Sequence, residues 1–342
     1  AETWSAPKAA CMNVATRRRA IVLTVEGWGA GFLGPYGNTW LDTPACNHLA
    51  DQSLLVENTL VDSPLPADFF PAVWSGTHAA FRHSPGRYSL PYLLAQDGKT
   101  SCLITDSSDL LEHALTEDFD DAVGVAPHRL GGLATDVEQT GFARLFATAL
   151  AAMEESPADL VWIHSQGMRA PWDAPVEYRE QFRDDDDPDP LLAIDPPDGM
   201  AADLDPDEIQ RWIWAYGAQV SLLDGGLEAL LDAWQRVTEP AILVVMGVNG
   251  FALAEHGMWG DPGADLFSEH LHVPLMLASN SLDTARRRTP NLVQPHQLYH
   301  TLLDWLQADA SKLRSELSLL RCVDDTGWSR EENSLAVSCY QR

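Results

Sequence analysis

Residues 22–38 read VLTVEGWGAGFLGPYGN. The apolar run Ile21–Val25 stops at Glu26, and glycines, an aromatic residue and a turn follow. A short β-branched run of this kind fits a strand buried on both faces. A carboxylate just past its end lies where open α/β sheets keep their ligands. Four further runs have the same character: Ser101–Thr105, Leu160–His164, Ala241–Met246 and Val273–Leu277. Helical patterns separate them. Thr43-Pro44 opens one, with Thr as N-cap and Pro in the first helical position. Asp205-Pro206-Asp207-Glu208 opens a longer one, close to a capping box. From there Ile209, Trp212, Ile213, Tyr216, Val220, Leu223, Leu227, Leu230 and Trp234 repeat every three or four residues, one apolar stripe on a long helix. Another helix follows Pro295 and carries Leu298, Leu302, Leu303 and Leu306. The alternation predicts an α/β fold with a mainly parallel central sheet flanked by helices on both faces.

The chain has 342 residues, 45% of them hydrophobic, enough for one large core with or without a small appendage. The pattern places the α/β domain at residues 1–310. Residues 311–342 read as a C-terminal appendage or the start of a reduced C-terminal subdomain. Residues 183–207 are rich in Asp and Pro and read as a long exposed loop. Consecutive acids at Asp184–Asp187 do not match the spaced ligands of a calcium loop and read as solvated. The formal net charge of −28 argues against nucleic-acid partners and repels anionic substrates unless the site holds local cations. Five widely spaced cysteines form no C-x-x-C pair, which argues against a zinc or iron–sulfur site. Cys46 and Cys102 read as buried thiols, and Cys322 and Cys339 as a possible pair. No run approaches the length of a membrane span and no signal peptide is visible, so a soluble protein is expected.

Several stretches, in order, resemble the sulfatases of the alkaline phosphatase superfamily. AIVLTVEGWGAGFLGPYGN resembles the opening strand and loop. TPACNHLADQSLLVENTLVDSPLP resembles the approach to the nucleophile, SLPYLLAQDGKTSCLITD the next helix–strand unit, and LVWIHSQGMRAPWDAPVEY a strand and substrate loop. AILVVMGVNGFALAEHGMWGD resembles the second metal strand, and LHVPLML with LYHTLLDWL closes the series. The resemblance implies the superfamily fold. It also implies a divalent cation, usually calcium, a formylglycine made from Cys or Ser, and cations that neutralise the ester.

The family's chemical groups are missing at the matching positions. Its paired aspartates become Glu26 and Gly27, and C/S-x-P-x-R becomes PADFF, with Pro66 at the nucleophile and Phe70 at the arginine. Lys-x-His becomes Asp106-Ser107-Ser108. The substrate-loop histidine becomes Arg169, the metal pair becomes Val248-Asn249, and a lysine becomes Asp261. Pro66 has no nucleophilic side chain and Phe70 no charge. Glu26 and Asn249 are weak metal candidates that leave a calcium shell mostly empty, so neither calcium nor formylglycine is expected.

Two function classes follow. The first is a sulfatase-like pseudoenzyme that has lost the canonical chemistry and binds or scaffolds an unknown protein or small molecule. The second is a divergent hydrolase or transferase with a rebuilt site around Glu26, Asp68, His164, Asn249 and His256. A homo-oligomer with a structural role is a third possibility. Each residue also has a plainer reading. Glu26 could bond a helix N-terminus or backbone amides, and Asp68 could serve a turn. His164 and His256 could be satisfied structural histidines. Arg169 could bind an anion or pair with Asp106 or Asp261, and the tryptophans suit core packing.

Overall fold

The computed structural model describes residues 17–81, 88–126, 131–155, 158–200, 205–260 and 266–323. Asp261 lies outside these residues, as do Cys11, Cys339 and positions 324–342 of the C-terminal stretch. The strands are β1 (Arg19–Val25), β2 (Ser53–Thr59), β3 (Ser101–Thr105), β4 (Asp121–Gly124), β5 (Leu160–Ser165), β6 (Gly199–Met200), β7 (Ala241–Gly247), β8 (Ala252–Leu253), β9 (Met258–Gly260), β10 (Leu275–Ser279) and β11 (Arg287–Val293). The helices are α1 (Pro44–Gln52), α2 (Pro66–Ser75), α3 (Leu90–Gln96), α4 (Ser108–Leu111), α5 (Gly141–Glu155), α6 (Val176–Glu180), α7 (Pro206–Gln235), α8 (Ser268–Leu271), α9 (His296–Leu306) and α10 (Leu320–Val323).

Eight strands form one sheet in the order β11-β2-β10-β7-β1-β5-β3-β4. Its pairs are parallel except those of β10, which runs antiparallel to both β2 and β7. Both faces of the central strands are covered, and the period-two alternation shows why β1, β5 and β7 are largely apolar. Ile21, Leu23 and Val25 of β1, with Leu243 and Val245 of β7, pack into the layer containing α1, α5 and α7. Ala20 and Val22, with Ile242, Val244 and Met246, pack into the opposite layer with α2, α3 and α9. A second, three-stranded sheet joins β6, β9 and β8.

The caps follow the sequence in one case and depart from it in another. Asp205 accepts the Glu208 backbone N–H at 2.8 Å and starts α7 as read. Thr43 precedes α1 but does not cap it with its side chain. Its hydroxyl accepts the Gly34 N–H instead, at 3.0 Å, and so ties the loop after β1 to the helix. Ile209 and Ile213 of the α7 stripe are only partly buried, whereas Trp212, Tyr216, Val220, Leu223, Leu227, Leu230 and Trp234 are buried. Trp214, off the stripe, is buried too. The last predicted strand begins two residues late, at Leu275, because Val273 bonds Thr59 outside the main ladder. The acidic loop is solvated at Asp184–Asp186 but anchored beyond them. The wholly buried Arg179 donates to the carbonyls of Leu191 and Ala193, and Trp172 N–H donates to Ile194. Among the described residues no helix is long and apolar enough to cross a membrane.

Candidate functional site

Parallel strands end together, so the residues after them gather along one edge. Val25 is in register with Ser165 of β5 and Gly247 of β7, and Thr105 of β3 with His164. Glu26, Gln166, Asp106, Val248 and Asn249 therefore emerge side by side. Glu26 is buried, yet both carboxylate oxygens are engaged: Oε1 with His164 Nε2 at 3.2 Å, Oε2 with Arg169 Nη1 at 3.0 Å. Burial pushes its pKa up, but the His164 and Arg169 partners outweigh burial and hold it below the ordinary carboxylate value. These partners are not the helix N-terminus or backbone amides expected from sequence, because His164 and Arg169 reach the carboxylate from β5 and the loop after it. Arg169 likewise meets Glu26 rather than Asp106.

His164 is fully buried and fixed from behind. The Thr24 hydroxyl accepts the Trp162 Nε1–H at 3.0 Å and lies 3.2 Å from His164 Nδ1. The chain of bonds is complete when Thr24 donates to Nδ1 and Nε2–H donates to Glu26. Phe70 closes the same imidazole edge-to-face, with centroids 4.9 Å apart and planes at 89°. An apolar ring thus stands where the family resemblance places a cation.

Asn249 is buried and its Oδ1 accepts the Gly27 N–H at 2.9 Å. Gly27 is left-handed, with φ of +72°, and a Cβ there would sit 3.0 Å from the Met168 carbonyl oxygen. Its own carbonyl accepts the Tyr216 hydroxyl of α7 at 2.8 Å. Val248 is fully buried in the apolar layer. Asp106 accepts Ser165 Oγ–H and Gln166 N–H, both at 2.8 Å, and burial raises its pKa despite those bonds.

A cleft of about 360 Å³ opens over this edge. Pro66 is the first residue of α2, and Asp68 in its first turn accepts the Ser63 hydroxyl at 2.6 Å. Both line the cleft with Glu26, Leu65, Ala67, Phe70 and Arg169. Ser107, Asp109, Leu110, His113 and Gln166 complete it, and sequence reading did not single them out as site residues. Asp106 and Ser108, read from the family pattern, do not line this cleft, whereas Ser107 between them does. Ser107 caps α4 by accepting the Leu110 N–H, while Ser108 is exposed and does not line the cleft. A second cavity, of about 340 Å³, lies on the other side of Gln166 and Arg169, against Asp195, Asp198, Phe251 and Gly260. His256 lines neither cavity. It is half exposed, pairs with Glu269 at 3.3 Å and stacks on Phe267.

The fold and the order of these elements match one family. The chain belongs to the sulfatase family, whose profile matches residues 18–308. Solved structures of low identity share the fold. One is the phosphonate monoester hydrolase of Agrobacterium radiobacter, with 14% identity, a TM-score of 0.73, and coverage of 92% of this chain and 79% of that one. A putative sulfatase from Bacteroides thetaiotaomicron is 15% identical, with a TM-score of 0.71 and coverage of 93% and 76%. The C-terminal periplasmic domain of phosphoethanolamine transferase EptC from Campylobacter jejuni is 17% identical, with a TM-score of 0.66 and coverage of 89% and 94%. No curated protein sequence matches the chain.

Proposed function

We propose that this sulfatase-family chain no longer performs formylglycine-dependent ester hydrolysis. Its cleft instead binds a small molecule that is uncharged or cationic. The observation that carries this reading is the Arg169 guanidinium on Glu26, 3.0 Å from Oε2. The carboxylate that the resemblance assigns to a metal is neutralised by the protein's own side chains. Calcium takes six to eight oxygens. Glu26 is bonded through both oxygens, and the Asn249 oxygen is held by the Gly27 N–H. Turning that amide would set its NH₂ group against the same N–H donor. Gly27 and Val248 supply no side-chain donor. Among the described residues, those at the matching positions do not fit a calcium ion.

The cleft supports the binding half of the proposal. A transition state that gathers negative charge needs fixed cations and a nucleophile. Here Pro66 and Phe70 stand at the matching positions, while Asp68 and Asp109 add negative charge beside Glu26. An anionic ester would face those carboxylates. An apolar body fits Leu65, Pro66, Ala67, Phe70 and Leu110, and a donor or cationic group fits the acids. The rebuilt-hydrolase alternative draws on five residues, of which Glu26 and Asp68 line the cleft. His164 lies behind Glu26, Asn249 holds Gly27, and His256 pairs with Glu269 elsewhere.

The test is hydrolysis by the purified full chain. Aryl sulfates, aryl phosphates and a phosphonate monoester are offered with and without calcium. The expected result is no turnover above that of the Glu26→Gln and Asp68→Asn variants. Turnover that either substitution abolishes would reject the proposal.

A further inference from the structure

The structure assigns a second, independent site to this chain: a divalent transition-metal site of the zinc class formed by Asp62, His78 and His296. It does not depend on the function proposed for the cleft. The three residues come from separate elements. Asp62 lies in the loop between β2 and α2, His78 in the segment just after α2, and His296 is the first residue of α9. One donor atom from each lies within 4.8 Å of the other two. Asp62 Oδ2 is 3.8 Å from His78 Nδ1, and the two imidazole rings meet edge-on with centroids 5.4 Å apart.

The hydrogen bonding points to a ligand. Asp62 is 1% exposed, and only one of its oxygens is used within the protein: Oδ2 accepts the Ala79 N–H at 2.7 Å. Oδ1 is buried with no partner. His296 Nδ1 is also buried with no partner. Leaving a buried carboxylate oxygen and an imidazole nitrogen bare costs free energy at each, unless something between them satisfies both. His78 Nδ1 accepts the Ala80 N–H at 3.0 Å, a bond it would exchange for the ion, and Nε2 faces Gln294 Oε1 at 3.3 Å. The second contact fixes the ring much as outer partners orient a ligating histidine.

Donor chemistry selects the ion. Two imidazole nitrogens and one carboxylate suit zinc, cobalt or nickel rather than calcium, which takes oxygens. Bonds of about 2.0–2.2 Å to a tetrahedral ion set donors roughly 3.3 Å apart, so the side chains close in by about an ångström on binding. Three protein ligands leave a fourth position for water. The bound ion would tie the loop entering α2 to the segment leaving it and to α9. That fixes the helix whose first five residues include Pro66, Asp68 and Phe70.

The experiment titrates Co²⁺ into the chelator-treated full chain, follows its visible d–d absorption, and then competes with Zn²⁺. One equivalent is expected to bind, with the band of a four-coordinate nitrogen/oxygen site. Asp62→Asn, His78→Gln and His296→Gln should each weaken binding at least about tenfold. The exposed His48→Gln control should keep it. Zn²⁺ should raise the unfolding temperature of the wild type and not of the three variants. Should a variant fail to fold, X-ray absorption of the wild-type zinc form decides. Two imidazole nitrogens with carboxylate oxygen support the site, and a thiolate or all-oxygen shell overturns it. Absence of stoichiometric binding by the wild type, or undiminished binding in the folded variants, also overturns it.

Discussion

Replacing Arg169 by methionine keeps much of the side-chain volume and deletes the charge that faces Glu26. A hydrogen bond to a charged group contributes about 1.5–3 kcal/mol. The Arg169 side chain is 40% exposed while Glu26 is almost wholly buried. Solvent screening on the arginine side brings the expected pair energy down to about 1–1.5 kcal/mol. The single variant mixes this with other losses, so a double-mutant cycle of Arg169→Met and Glu26→Gln is the right measure. Urea unfolding of the four proteins at pH 7 should give a coupling of about 1–1.5 kcal/mol. The sign with pH follows from linkage. Folding lowers the Glu26 pKa from its ordinary 4.5, so the stabilisation is fully present above that value. It drains away as the pH falls from about 4.5 through the folded-state value, and the coupling should shrink with it. A coupling under about 0.3 kcal/mol at pH 7 would lie within additivity error and refute the reasoning. So would a coupling that grows on acidification.

Three further outcomes follow from the same geometry. Gly27→Ala forces a Cβ into a left-handed conformation against the Met168 carbonyl, and should cost about 1–2 kcal/mol, read as a lower unfolding temperature. Phe70→Ala removes the ring that covers His164 and should cost about 3 kcal/mol, the low end for a buried Phe because one side of the ring faces the cleft. Burial, with Arg314 nearby, lowers the His300 pKa from 6.5 to about 4, so the unfolded chain takes up a proton in this range and the folded one does not. Stability should therefore fall as the pH drops from 6.5 towards 4, by an amount on the order of 3 kcal/mol, and His300→Gln should flatten that slope in urea titrations.

The sheet was legible because its central strands are buried on both faces. Ile21–Val25 and Ala241–Met246 read as strands without help from neighbours, since each face of each strand needs apolar side chains. The edge strand β11 carries Pro290 and two arginines and gave no comparable signal, as expected of a strand paired on one side only. The candidate cleft was legible only in part, since Gly27, Asp106, Ser108, Val248 and Asn249 of the family pattern do not line it. Glu26, Pro66, Phe70 and Arg169 were singled out from the family pattern, and all four line one cleft. What those side chains do was not legible. The pairing of Arg169 with Glu26 depends on a loop path that no periodicity encodes. His113 and Gln166 reach the cleft only through the packing of α4 and the exit from β5. The Asp62, His78 and His296 cluster joins residues separated by up to 234 positions, with no short-range spacing to announce it.

The most direct measurement is a crystal structure of the full chain grown in excess calcium with an aryl sulfonate as a stable ester mimic. Glu26 should still be bonded to Arg169 and His164, with no ion within about 2.6 Å of its oxygens and no sulfonate over Pro66. A calcium ion held by Glu26 and Asn249, with Arg169 swung onto the sulfonate, would contradict it.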